Sequence, residues 1–326
     1  MHPDRQPWEQ AWRDALYGPD GFYRHHAPSG HFTTSTQGVP AAGAVLALAV
    51  AELARRHGCD RVVDVGAGRG ELLAELRRLD PGLHLAGVDV VGRPADLLVD
   101  AWHVSPGGAA LPEGLEHLRN TLVVAHEWLD VVPCPVVGRD TRGVWRAVTV
   151  APDGTEHPGG VVEGEALGWL ETWVGADVRR AEVGLPRDLA AADLLGRLDS
   201  GVLLVVDYGH ERGTRPADGT LTGFRSGRQV PPVPDGSCDL TAHVAVDSLV
   251  AHLRTVHPVD RCDVTDQRTA LLHLLPDAAD PRPVPHDLAR RDPTAYLQAL
   301  AQRAALGVLA APGGLGSFRW VVTTRQ

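Results

Sequence analysis

Two groups of residues have types and spacings that could do chemistry. The first is a glycine turn, "RVVDVGAGRGELLAEL" at 61–76, with Asp89 nineteen residues after Gly70. Gly66, Gly68 and Gly70 are spaced G-x-G-x-G, and Glu71 stands where the dinucleotide fingerprint G-x-G-x-x-G has its third glycine. A carboxylate in a first helical turn repels a pyrophosphate and is compatible with a cationic ligand. Asp64 adds a second negative group just before the turn, and Asp89 ends the next apolar run, where open α/β sheets grip both hydroxyls of a ribose. The turn therefore disfavours NAD and permits a sulfonium cofactor. The second group is "VVAHEWLDVVP" at 123–133, which places His126, Glu127 and Asp130 just beyond an apolar run. Glu127 and Asp130, three apart, share a face if that segment is helical. His126 is a candidate general base because its ordinary pKa lies near neutrality, and a pocket-shaping histidine is the alternative. Asp130 reads equally as a site acid or as a helix cap.

These residues need a scaffold, and the hydrophobic rhythm supplies one. The spacing predicts a helix over 41–57, a strand over 61–65, a helix over 70–79 and a strand over 83–89. A short strand near 96–100 and a strand over 121–126 follow. Strands alternating with helices imply a parallel sheet covered on both faces. After Pro133 the rhythm breaks, with a hairpin turning near Asp140–Gly143 and helical segments around 163–174 and 188–198. It resumes with "GVLLVVDYG" at 201–209, then a loop-rich stretch over 210–240, a helix over 243–255, a strand near 260–265, a helix over 293–310 and a last strand over 317–324. The organisation expected is an N-terminal lid and helix over 1–57, a core made of 58–132 and 200–326, and an inserted substrate-side subdomain over 133–199. Tyr17, Tyr23, Thr34 and Ser35 are candidates for the part of the lid that lies over the cofactor.

Composition excludes several classes. All 31 basic residues are arginine, so a P-loop, a pyridoxal Schiff base and a kinase site, each of which needs lysine, are ruled out. A net charge of −10 argues against a nucleic-acid surface. The apolar stretch over 41–51 is too short to span a bilayer, so no membrane span is expected. Four widely spaced cysteines and no signal-like N-terminus fit a reducing cytoplasm. "HEWLD" lacks the second histidine of the zinc motif H-E-x-x-H, no metal site is expected, and no serine stands in G-x-S-x-G.

The pattern D-x-G-x-G-x-G with an acid at the next strand end resembles the cofactor site of class I S-adenosylmethionine-dependent methyltransferases. "ALYGPDGFY" (15–23), "HFTTS" (31–35), "DVGAGRGELL" (64–73), "VVAHEWLDVVP", "VVDYG" (205–209), "GTLTGF" (219–224), "CDLTAHV" (238–244) and "LGSFRWVV" (315–322) occur in the order seen in the MidA-like methyltransferases. That family includes the mitochondrial assembly factor for respiratory complex I, which resembles a protein arginine methyltransferase. The resemblance implies a class I, Rossmann-like α/β fold with a seven-stranded sheet, an inserted β-hairpin and helical segment, and an N-terminal lid. It implies S-adenosyl-L-methionine as cofactor, with Asp64, Gly66, Ala67, Gly68 and Gly70 around its methionine and ribose, Asp89 on the ribose and Asp100 on the adenine. It implies a protein or peptide substrate, a respiratory-complex subunit among them, with Tyr208 beside it. A guanidinium acceptor needs carboxylates that grip it by paired hydrogen bonds, for which Glu127 is the first candidate. The chain departs from the family at His126, where Asn is usual, and at Thr36-Gln37, where Pro-Glu is usual. Those departures keep open O- or N-methylation of a peptide or small metabolite. A non-catalytic assembly factor that retains the fold is the third reading. Asp239, Thr241 and His243 read either as pocket lining or as the start of a helix.

Overall fold

The computed structural model describes residues 5–25, 40–280 and 282–325. Its centre is a seven-stranded sheet whose strands, numbered along the chain, are β1 (Arg61–Val65), β2 (His84–Asp89), β3 (Ala101–Val104), β4 (Thr121–His126), β5 (Gly201–Asp207), β6 (Arg261–Asp266) and β7 (Arg319–Arg325). Their spatial order is β3-β2-β1-β4-β5-β7-β6, and only β7 runs antiparallel to its neighbours. Strand order reverses between β1 and β4, so the crevice that open sheets use for ligands lies at the carboxyl ends of those two strands.

The continuous apolar runs follow from burial on both faces. Along β5, Val202, Leu204 and Val206 join one apolar cluster, and Leu203 and Val205 join another. The first cluster is covered by helices α3 (Ala42–Arg56), α4 (Glu71–Leu79), α8 (Gln267–Leu274) and α10 (Pro293–Leu309). The second is covered by α6 (Leu185–Gly196) and α7 (Val246–Val256). Each Leu or Val so enclosed contributes about 1.5–3 kcal/mol relative to exposure. Helix α4 shows the local logic: it starts after Gly70 at φ +77°, buries Leu72, Leu73 and Leu76, and carries Glu71 in its first turn and Arg77 and Arg78 in its last. The end charges complement the helix dipole.

Outside the central sheet the expectations need correction. The hairpin expected at 140–143 is present, as strands Val136–Arg139 and Trp145–Val150, but it belongs to a five-stranded sheet with Glu156–Val161, Arg180–Glu182 and the N-terminal Gln6–Pro7. The short strand expected near 96–100 is Ala101–Val104 instead. The stretch read as loop over 210–240 contains strands Thr222–Arg225 and Arg228–Val230, which join Asp239–Thr241 in a three-stranded sheet. Helix α7 starts at Val246 because Val244–Ala245 pairs with Gly209–His210. Four helices escape the periodicity reading: α1 (Trp8–Tyr17), α2 (Phe22–His25), α8 and α9 (His286–Arg291). α1 packs Trp8, Trp12 and Leu16 into a third apolar cluster with Val136, Val150 and Leu240, so it forms a wall between the accessory sheets and the crevice. α5 (Gly164–Trp173), strand Arg180–Glu182 and α6 follow one another in the segment between β4 and β5. Among the described residues, no helix is long and apolar enough to cross a membrane.

Candidate active site

A cavity of about 620 Å³ opens at the carboxyl ends of β1, β2, β4 and β5. Its floor is the glycine turn. Gly66, Gly68 and Gly70 all have positive φ, at +76°, +59° and +77°, a region that side-chain-bearing residues enter at a cost. A Cβ on Gly66 would meet Trp128 Cδ1 at 3.2 Å, and one on Gly70 would collide with Leu97. A Cβ on Gly68 would meet only Glu71 Oε2, at 3.8 Å, so this position stays bare toward the cavity. The cradle fits close approach by a ligand.

Asp64, Gly66, Ala67, Gly68, Asp89, Tyr23, His126, Glu127, Asp130 and Tyr208 all line this one cavity, and Asp239 and Thr241 line it too. Thr34 and Ser35 lie outside the described residues, as do Thr36 and Gln37. Gly70 is absent from the lining and shapes the helix start behind it. Asp100 is a correction. It precedes β3, so it stands at the amino edge of the sheet, where its carboxylate accepts from Leu85 N at 2.8 Å and pairs with Arg77 at 2.5 Å. Beyond β2 and β3 the cavity wall is formed instead by Val90, Val91, Ser105, Gly107 and Leu111, from the loops after those strands. His243 does not line the cavity; its ring stacks on Tyr208 with centroids 6.0 Å apart.

Asp89 Oδ2 accepts from Gly68 N at 2.7 Å, and Oδ1 accepts from Val91 N at 3.2 Å. Asp89 thus ties the glycine turn to the loop after β2. Asp64 is buried, and burial, with Asp89 and Glu71 nearby, pushes its carboxyl up to about 7.

The opposite wall is built on β4. Glu127 N donates to Val206 O at 2.8 Å, then the chain turns sharply, with Glu127 itself at φ +52°. A non-glycine residue held there carries about 1–2 kcal/mol of strain, which the surroundings must impose. They do so through Asp207, at the end of β5, whose carboxyl accepts from Leu129 N at 3.2 Å and Asp130 N at 3.3 Å. The Tyr208 hydroxyl donates to Glu127 Oε2 at 3.1 Å. Burial, with the Glu127 and Asp130 charges, holds that phenol far above its ordinary value, so it stays a donor. Asp130 accepts from Thr241 Oγ1 at 2.7 Å; burial and Glu127 push it up to about 6. Asp130 thus caps no helix and lines the cavity.

His126 does not have the basicity expected of a general base poised at neutrality. Burial drives its imidazole down to about 4, although Asp130 opposes the shift. The ring is uncharged at neutral pH. Asp207 and Asp239 go the other way, their carboxyls raised well above the ordinary value by burial and, after it, by neighbouring Asp130. Tyr23 donates to Asp239 Oδ1 at 2.7 Å.

Sequence reasoning missed Arg187, on α6 in the segment between β4 and β5. Its guanidinium is buried and donates to four backbone carbonyls: Asp130 at 2.7 Å, Ala242 at 2.9 Å, His243 at 3.0 Å and Val132 at 3.1 Å. It also lies 5.5 Å from the Trp12 ring. One side chain therefore joins the loop after β4, the loop after Thr241 and α1. A signal existed: Arg187, Ala190, Ala191 and Leu194 fall on one helical face, so the arginine sits in an apolar stripe.

Comparison with known proteins adds a class. Residues 109–261, just under half of the chain, match the family described as "Putative S-adenosyl-L-methionine-dependent methyltransferase". The matched span begins after the glycine turn and includes Glu127, Tyr208 and Asp239. No curated protein matches. Among solved structures, a superfamily member from Burkholderia thailandensis bound to S-adenosyl-homocysteine superposes with a TM-score of 0.75 at 24% identity, covering 99% of this chain and 88% of that one. A native structure from the same organism gives 0.74 at 23% identity, with the same coverage of 99% and 88%. The fold is that of class I methyltransferases. Family match and fold agree on one enzyme class, the S-adenosyl-L-methionine-dependent methyltransferases.

Proposed function

We propose that this chain transfers a methyl group to a cationic nitrogen of a protein side chain, arginine by its resemblance to the MidA-like family. The observation that carries this reading is the charge of the cavity. Six carboxyl side chains, Asp64, Glu71, Asp89, Glu127, Asp130 and Asp239, line it, while the arginines that line it, Arg24 and Arg69, are exposed to solvent. Arg187, the buried guanidinium nearest to them, is turned away onto backbone carbonyls. Carboxyl groups crowded out of water are costly unless a cation joins them, and a sulfonium beside a guanidinium supplies two.

When bound, S-adenosyl-L-methionine supplies an electrophilic methyl group, whose C–S bond breaks with its electron pair kept by sulfur as the N–C bond forms. The chain's own residues align and neutralise. Gly68 admits the ligand's closest approach, and Asp89 is the carboxylate at the ribose position. Glu127, oriented by Tyr208, holds the acceptor nitrogen and takes the proton that the nitrogen sheds. Tritium transfer from methyl-labelled cofactor to arginine peptides, with citrulline peptides as controls, tests this. Label is expected in the arginine peptides only, with a drop of about 10²–10⁴-fold in Glu127→Gln. Transfer to hydroxyl acceptors in preference, or an unimpaired Glu127→Gln, would overturn the reading.

A further inference from the structure

Asp130, after β4, and Asp207, at the end of β5, are 4% and 2% exposed, and a side-chain hydrogen bond joins their carboxyl groups. Two ionised carboxyl groups have no hydrogen with which to form such a bond, so the contact requires a proton between them. The guanidinium of Arg187 does not replace it, since its listed bonds all go to backbone carbonyls and none to either carboxyl.

The donors around the two groups show which of them carries the proton. Asp207 Oδ2 accepts from Leu129 N at 3.2 Å and its Oδ1 from Asp130 N at 3.3 Å, so both oxygens face backbone hydrogens, the arrangement that suits an ionised carboxylate. Asp130 differs. Its Oδ2 accepts from Thr241 Oγ1 at 2.7 Å, whereas its Oδ1 is buried and receives no hydrogen. A proton on Oδ1, donated to Asp207, accounts for that lone oxygen and leaves every oxygen of the two groups with a partner.

We infer that Asp130 and Asp207 form one hydrogen-bonded pair with a single shared proton, held on Asp130 Oδ1, and that this pair positions Glu127. The positioning role rests on the methyltransferase reading above; the shared proton does not. A pair with one negative charge instead of two lets both acids stand beside Glu127 in a wall that has no cation of its own. The same pair grips the backbone at 129 and 130, just past the turn in which Glu127 sits at φ +52°, and so sets where that carboxyl points.

Asparagine at 130 is the neutral twin of the protonated acid: its amide group donates to Asp207 and its oxygen accepts from Thr241. Asparagine at 207 is not, because its amide group meets a backbone N–H. Asp130→Asn should therefore melt within about 1 °C of wild type, and Asp207→Asn about 4 °C lower or not fold at all. Infrared difference spectra of wild type and Asp130→Asn at neutral pH should show the C=O stretch of one protonated carboxyl group lost in the variant. Asp130→Ala, which removes the donor to Asp207, should slow methyl transfer to arginine peptides about tenfold with S-adenosylhomocysteine affinity within about twofold, and Asp130→Asn should recover most of that loss. A carboxyl band that persists in Asp130→Asn, or a loss of stability there as large as in Asp207→Asn, overturns the shared proton; both are read on a variant expected to fold as wild type does. Equal rates in Asp130→Ala and wild type overturn the positioning of Glu127. A wild type that transfers no label refutes the methyltransferase reading and the positioning role with it, and leaves the shared proton to the infrared result.

Discussion

Arg187→Met isolates the contribution of one side chain to the architecture of the site. Methionine keeps much of the volume and the contact with Trp12, and removes every hydrogen bond. Four backbone carbonyls, of Asp130, Val132, Ala242 and His243, then lose a donor. An unsatisfied buried acceptor costs about 1–3 kcal/mol, although the four share one donor and relax together. Arg187 also lowers the energy of the ionised Asp130 and Asp207 carboxyls. Removal of one partner from such a buried charged network typically costs about 3–5 kcal/mol, a large share of a total stability of about 5–15 kcal/mol. Urea unfolding followed by circular dichroism should show a loss of that size, with a fall in Tm of about 4–7 °C. Arg187→Lys should fall between the two, since one ammonium has three hydrogens and cannot span four carbonyls. A loss below about 1 kcal/mol in Arg187→Met would mean that water replaces the guanidinium and that its tie between the two loops has little weight.

Gly68→Ala should leave the fold intact at a cost of about 1–2 kcal/mol for its φ of +59° and abolish S-adenosylhomocysteine binding, read by calorimetry; retained binding would mean that the cavity floor is not the ligand contact. Tyr208→Phe removes the hydrogen bond to Glu127, so methyl transfer should fall about 10- to 100-fold with cofactor affinity unchanged. Stability without ligand should decline from pH 6.5 to pH 8. Asp64 and Asp188, both pushed up to about 7 chiefly by burial, bind more protons folded than unfolded in that window, so stability present at low pH is lost as they ionise. His126 and His210, held down to about 4 and about 3, act in the opposite direction, and only as pH falls through about 6.5, where the unfolded chain begins to charge them. Melting curves across the range should be flatter for Asp64→Asn, and a rise in Tm toward pH 8 in the wild type would contradict the assignment.

The central sheet was legible because its strands are enclosed on both faces and therefore apolar throughout, as in "GVLLVVD". The accessory strands were harder to read: Glu156–Val161 is largely exposed and includes Pro158, Gly159 and Gly160, so neither alternation nor β-branching marks it. α1 was hidden in a stretch rich in glycine, proline and aromatics, although Trp8, Trp12 and Leu16 have helical spacing. In the site, the glycine turn, Asp89 and the acids after β4 announce themselves through local spacing. Asp100 failed for a register reason, a strand placed a few residues early, which moved it to the wrong edge of the sheet. The ties made by Asp207 and Arg187 depend on contacts between segments 55 to 78 residues apart, which no local pattern records.

Arg187 belongs by sequence to the segment between β4 and β5 and by contact to the crevice. The segment between β4 and β5 is therefore no exchangeable cassette. A lineage that swapped residues 133–199 for another module would have to supply a new cation beneath Asp130, or rebuild the turns at 130–132 and 242–243 in the same step. A change in that segment and a change in the turns that wall the cavity are therefore coupled through one guanidinium.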